Sequence, residues 1–86
     1  MNRFKTGDII ANKVTKDIYI YKNKINSVLF SFYTRLAPNG KCVIVPNDGS
    51  THCAPISDNL CKAGKEEVER LNATLDKFGM KYHYKK

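Results

Sequence analysis

The alternation of apolar and polar residues is strongest between positions 28 and 46, where it predicts a β-hairpin. Both arms are rich in β-branched and aromatic residues, which favour a pleated, half-buried surface. Pro38 presets the backbone of a type I turn, and Gly40 can take the left-handed conformation that completes a three-residue loop. This loop pairs Ala37 with Lys41 and thereby sets the register of both arms.

Two faces follow from this register, because successive side chains of a strand point to opposite sides. The face predicted to lie inward carries Phe30, Phe32, Thr34, Leu36, Cys42 and Ile44. The face predicted to lie outward carries Tyr33, Arg35, Lys41, Val43 and Val45. A slip of one residue would bury the cations of the second set, so we expect this phase along the whole ribbon.

Other short apolar runs, bounded by turn-forming residues, predict further strands. They cover residues 7–11, 17–21, 51–56 and 80–84, and a short bridge is predicted at 60–61. In the second of these runs isoleucines alternate with tyrosines. We place Ile18 and Ile20 in the core, and Tyr19 and Tyr21 outside.

A single helix is predicted from about Lys65 to Phe78, followed by Gly79 as its left-handed C-terminal residue. Glu67 is placed to reach back to Gly64 at the N-cap, and the charges of the first and last turns suit the helix dipole. Its apolar residues recur at spacings of three and four, and they are Val68, Leu71, Leu75 and Phe78.

These elements predict a mainly β fold, either an SH3-like small barrel or a strongly bent antiparallel sheet of five or six strands, with one C-terminal helix. The 86 residues suit a single domain over 1–86, and a hydrophobic content of 42% is enough for a core. The N-terminus lacks the apolar segment of a signal peptide, and the three cysteines cannot all pair within one chain. We therefore expect free thiols and a reducing, cytoplasmic location.

The net charge of +7 is concentrated in the first half of the chain. Residues 1–46 hold eight Lys and Arg against two Asp, whereas residues 47–79 hold four against six acidic residues. A basic region of this kind attracts nucleic acid, anionic membranes or acidic proteins. The alternative is that the lysines keep edge strands soluble.

Two stretches resemble a known family. They are Phe4–Ile10 followed by Asp17–Lys22, and the segment from Ala63 through Glu66, Glu67, Leu71, Leu75 and Gly79 to Tyr82. Together they resemble short uncharacterised proteins of gut Bacteroidetes and their phages and mobile elements. Those proteins open with a Lys-Gly-Asp strand, carry a Tyr-rich hairpin and close with an acidic helix leading to Gly-Tyr-Lys-Trp. The resemblance implies an SH3-like barrel with an added helix, and no catalytic residue.

The predicted outward positions suggest a nucleic-acid surface, because exposed aromatic rings beside lysines form a stacking platform with a backbone-tracking charge. Its residues are Tyr19, Tyr21, Lys22, Lys24, Tyr33, Arg35 and Lys41. The alternative is that the tyrosines pack against the helix. Val43 and Val45 suggest a protein interface instead, because apolar side chains on an outer face need cover from the helix or from a partner. A homodimer through that face or an edge strand is the simplest such partner.

Catalytic and metal chemistry have little support. Cys42, His52, Cys53 and Cys61 lack the short spacing of structural zinc sites. Cys53 with His52 or His83 is the one conceivable nucleophile pair, and residue types alone do not establish it. We therefore expect no metal, cofactor, small-molecule substrate or membrane partner. The predicted function is a non-enzymatic binding module, first for protein or self-association and alternatively for nucleic acid.

Overall fold

The computed structural model of the chain describes residues 4–45 and 51–77. The predicted turn at 47–50, the predicted helix end at Phe78 and Gly79, and the predicted strand over 80–84 lie outside the described residues. The described elements are β1 (Ile9–Asn12), β2 (Ile18–Lys24), β3 (Leu29–Leu36), β4 (Cys42–Ile44), β5 (His52–Pro55), β6 (Leu60–Lys62) and α1 (Lys65–Lys77).

All six strands belong to one antiparallel sheet in the order β4-β3-β2-β1-β6, with β5 also paired to β3. The long strand β3 serves two neighbours along one edge: its first half pairs with β5 and its second half with β4. The described strands bend without closing into a barrel. The predicted mainly β fold is therefore confirmed as a bent sheet with a C-terminal helix.

The β3–β4 hairpin has the predicted loop and register. Leu36 lies opposite Cys42, and the Ala37 N–H donates to the Lys41 carbonyl at 2.8 Å. Gly40 has a φ of 93°, which is the left-handed conformation that the loop requires. Local residues were enough to specify this part of the sheet.

A β-bulge between β2 and β3 overturns the prediction that one face of β3 is inward along its whole length. Ile20 lies opposite Thr34, but Tyr21 lies opposite Phe32, which leaves Tyr33 as an extra residue on β3. Directly opposed residues share a face, so the strand changes phase at this point. Phe32 therefore faces one side of the sheet and Thr34 the other.

Each side of the sheet has its own core. The helix-side core contains Ala11, Ile18, Ile20 and Leu36 of the sheet together with Leu71 and Leu75 of α1. The aromatic core lies on the other side, where the sheet bends on itself, and contains Ile10, Tyr19, Tyr21, Phe30, Phe32, Val45, Ala54 and Leu60. The central strand β2 is consequently buried on both faces from Ile18 to Tyr21.

Replacing Leu71 by Ala tests the contact between helix and sheet. Leu71 is 0% exposed, and truncation of a buried leucine costs about 2–5 kcal/mol of unfolding free energy. The neighbouring exposed residue gives the matched control, Asn72→Ala, which we expect to change stability by less than about 0.5 kcal/mol. Urea unfolding followed by circular dichroism measures both, and similar values for the two variants would show that α1 does not pack as described.

Replacing Thr34 by Val tests the buried hydroxyl beside Ile20. Thr34 is 0% exposed, and its Oγ1 has no hydrogen-bond partner among the described residues. An unpartnered buried hydroxyl costs about 1–3 kcal/mol, so the nearly isosteric Val should raise the unfolding free energy by about 1 kcal/mol. A lower midpoint of thermal unfolding than in the parent protein would contradict this assignment.

Candidate functional site

The predicted aromatic platform is not on the surface. Tyr19 and Tyr21 are each 5% exposed, so their outward placement is wrong. Tyr19 packs edge-to-face against Phe30 with ring centres 5.1 Å apart, and Tyr21 stacks on the same ring at 5.7 Å. The alternation of isoleucine and tyrosine suggested one wet face, but the second core covers the face that the tyrosines occupy.

The other residues of the predicted nucleic-acid surface are separated. Tyr33 is half-buried at the bulge, with the Lys22 Nζ 5.7 Å from its ring centre. Lys24 lies opposite Phe30, near the start of β3, whereas Lys41 is paired with Ala37, beyond the end of that strand. Both lysines are exposed, but they lie at opposite ends of the sheet.

Arg35 is exposed as predicted, and its charge already has a partner. Its Nη2 lies 3.3 Å from Oδ2 of Asp17, whose side chain is 8% exposed against 44% for that of Arg35. The same carboxylate oxygen accepts a hydrogen bond from the Thr15 hydroxyl at 2.8 Å. Arg35 therefore anchors the turn between β1 and β2.

The predicted protein interface is smaller than expected. Val45 is 8% exposed and belongs to the aromatic core, so its outward placement is wrong. Val43 lies opposite Arg35, which lies opposite Tyr19, so it is on the face of the aromatic core and not under α1. Val43 remains 39% exposed.

A different set of cations meets in a cleft of about 330 Å³ between the β1–β2 turn, β6 and the start of α1. We call it the basic cleft and define it by Lys13, Lys16, Lys62 and Arg70. The pairing of β1 with β6 brings these segments together, because Ala11 lies opposite Cys61 and Ile10 lies opposite Lys62. Lys13 and Lys16 lie far from Lys62 and Arg70 in the sequence, and the sequence carried no signal for the pairing that brings the two segments together.

The positive charge of the basic cleft is largely uncompensated. Among the residues that the structure describes, Glu67 is the one carboxylate in its lining. Its Oε1 accepts the Gly64 N–H at 2.7 Å, which is the predicted reach-back at the helix start. None of the three lysines forms an ion pair with another described residue. Several positive charges that line one concave site raise the local electrostatic potential and attract anions.

The β1–β2 turn holds two of these lysines in a defined geometry. Oδ1 of Asn12 accepts the backbone N–H groups of Val14 and Thr15 at 2.8 and 3.0 Å. The Asn12 carbonyl accepts the Lys16 N–H at 2.8 Å, and the Asn12 N–H donates to the Asp17 carbonyl at 2.9 Å. The turn is therefore closed at both ends before any ligand binds.

Arg70 joins the helix to the end of β3. Its Nη2 donates to the Ala37 carbonyl at 2.9 Å, at the start of the β3–β4 loop. This bond orients the guanidinium and leaves its other N–H groups for a ligand. Sequence reasoning missed Arg70 because it lies in the acidic part of the chain.

The cysteines and the histidine considered for zinc form no metal-binding cluster within the described part of the chain. Cys42, Cys53 and Cys61 are free, and burial raises the pKa of the Cys42 thiol. Across residues 4–45 and 51–77, no three His, Cys, Asp or Glu side chains gather as metal ligands would. Within the same residues, no helix combines the length and apolar character needed to cross a membrane. His83, named in the sequence analysis as one potential partner of Cys53, lies outside the described residues.

Comparison with protein-family models, curated proteins and solved structures gave no match. The resemblance to short Bacteroidetes proteins therefore stays a prediction.

An absorbance titration of tyrosinate tests the burial of the two tyrosines. Burial, and secondarily the Asp17 carboxylate, raises the pKa of Tyr19 above 10.0, and burial raises the pKa of Tyr21. Because the pKa is higher in the folded state than in the unfolded state, the free energy of unfolding falls as the pH rises toward the folded-state pKa. We expect a late-ionising fraction that shrinks in Tyr19→Phe and in Tyr21→Phe. Ionisation of all tyrosines near their unfolded pKa in the folded protein would contradict the aromatic core.

Proposed function

We propose that the protein is a non-enzymatic binding module whose basic cleft binds the phosphate backbone of nucleic acid. The observation that supports this proposal is the meeting of Lys13, Lys16, Lys62 and Arg70 in one concave site, where the single carboxylate is engaged by the helix cap. The proposal reverses the order of preference from the sequence, because the aliphatic surface on which self-association depended is reduced to Val43.

Phosphate is a better match for this cleft than the base edges. Lysine ammonium groups act as point charges toward phosphate oxygens, and an arginine guanidinium can add a forked pair of hydrogen bonds. Contacts to phosphate position a nucleic acid without reading its sequence. Since Tyr19 and Tyr21 are buried, the proposed binding relies on charge, and it should tolerate changes of base sequence.

Self-association remains a second candidate because some apolar surface is exposed. Ile25 and Val28 are 44% and 62% exposed on either side of the turn capped by Asn26, and Val43 is 39% exposed. A second copy that covered Ile25 and Val28 at the start of β3, or Val43 near its end, would form a homodimer. We also propose a cytoplasmic location, since free thiols suit a reducing compartment, and a mobile-element or phage-like accessory role on the basis of the resemblance.

Reversing charge in the basic cleft tests the nucleic-acid proposal. Lys13→Glu with Lys62→Glu should weaken binding to a fluorescent 20-base-pair duplex more than tenfold at low salt. Because each contacted phosphate contributes about 0.9 to the slope of log K against log salt, the slope should become about 2 units shallower. Fluorescence anisotropy over a salt series provides both quantities, with a single strand of equal length measured in parallel.

The matched control is Lys24→Glu with Lys41→Glu, which lowers the net charge equally but away from the cleft. It should retain most of the affinity and nearly all of the salt slope. Equal losses in both variants would show that net charge alone drives binding. No binding by the parent protein at low salt, together with a dimer in light scattering, would favour self-association. Tighter binding to phosphatidylglycerol vesicles than to the duplex would contradict nucleic acid as the ligand.

A further inference from the structure

Lys16 has a backbone conformation that lysine rarely adopts. Its φ is 68°, and it is the one non-glycine residue with a positive φ among residues 4–45 and 51–77. In this left-handed region the Cβ crowds the backbone, so glycine, and to a lesser degree asparagine, is favoured there. The turn therefore holds a lysine at a position where glycine would be more stable.

Lys16, at this unfavourable position, is one of the residues that line the basic cleft. Lys16 forms no ion pair with another described residue, and Lys13, Lys62 and Arg70 line the same space. Its ammonium therefore adds to the repulsion among like charges in the absence of an anion. Neither the backbone conformation nor the electrostatics of Lys16 stabilises the unliganded fold, which indicates a use for the side chain in binding.

We propose that Lys16 is a phosphate-binding residue of the basic cleft and that its strained backbone is tolerated because its ammonium contacts the nucleic-acid backbone. This inference rests on the function proposed above. Residues in sparsely populated backbone conformations persist where the surrounding structure over-determines them, and they cluster at binding sites. The alternative is that the hairpin needs a left-handed residue here and the side chain has no role.

The hydrogen-bond network around Asp17 holds the backbone of Lys16 in its left-handed conformation. Asp17 is 5% exposed, and its carboxylate accepts hydrogen bonds from Thr15 and Arg35 on two different elements. Asn12 holds the other end of the turn through its carbonyl and its side chain. The backbone of Lys16 is therefore placed before a ligand arrives, which reduces the entropy lost on binding.

Replacing Lys16 by Gly tests whether the side chain binds phosphate or only the backbone conformation matters. If the side chain binds, thermal stability should rise and affinity for the duplex should fall. The left-handed strain that glycine relieves is larger than the entropy that it adds to the unfolded chain, so the midpoint of thermal unfolding should rise by about 4 °C in a chain of this size. Affinity for the 20-base-pair duplex should fall at least threefold. Loss of one phosphate contact should make the slope of log K against log salt shallower by about 0.9.

Two further variants serve as controls. Lys16→Arg keeps the charge and should keep the salt slope, and Lys24→Gln removes one charge away from the cleft and should leave the slope unchanged. If the parent protein binds and Lys16→Gly keeps its affinity and slope, the inference is wrong while the proposed function stands. A lower melting temperature in Lys16→Gly would also overturn it, since the strain at Lys16 would then be smaller than the entropy that glycine adds to the unfolded chain. Failure of the parent protein to bind any duplex would refute the proposed function itself, and this inference with it.

Discussion

The extra residue at Tyr33 is the constraint on which the rest of the structure depends. It divides β3 into an initial part whose phenylalanines face the aromatic core and a final part whose Leu36 faces the helix. A bulge also bends a strand and increases its twist. The sheet can therefore fold around its own aromatic residues on one side and still present an aliphatic surface to α1 on the other.

Because both faces of the sheet are covered, the side chains that remain accessible for binding lie at its ends. The tyrosines that an exposed sheet would have presented to bases are packed against Phe30. What remains for binding is a site built by turns and by the start of a helix, where long cationic side chains keep their charged ends in water. The basic cleft is a site of this kind, and its ligands are selected by charge.

Arg35 and Arg70 have different roles from the lysines of the basic cleft despite their equal charge. Arg35 pairs with the nearly buried Asp17 and holds the turn, and Arg70 connects the helix to the β3–β4 loop through the Ala37 carbonyl. Planar guanidinium groups suit such fixed, directional contacts, whereas lysine ammonium groups are mobile point charges. The lysines of the cleft therefore carry the uncompensated charge on a scaffold that the arginines stabilise.

The elements that the sequence by itself determined depend on neighbouring residues. Pro38 and Gly40 specify the hairpin loop and its register, and the apolar stripe with the Glu67 reach-back specifies the helix from its first turn. These interactions join residues three or four positions apart, so a short stretch of sequence contains both partners of each. The aromatic and β-branched content of the strands likewise indicated a mainly β fold.

Only the tertiary structure decided the phase change, the burial of Tyr19, Tyr21 and Val45, and the position of the cleft. A bulge depends on how two strands pair with each other. An alternating sequence is equally compatible with a strand that has one solvent-exposed face and with a strand buried on both faces. The cleft requires β1 to pair with a strand about fifty residues further along. That pairing is chosen by the packing of both cores together, which no short stretch of the sequence specifies.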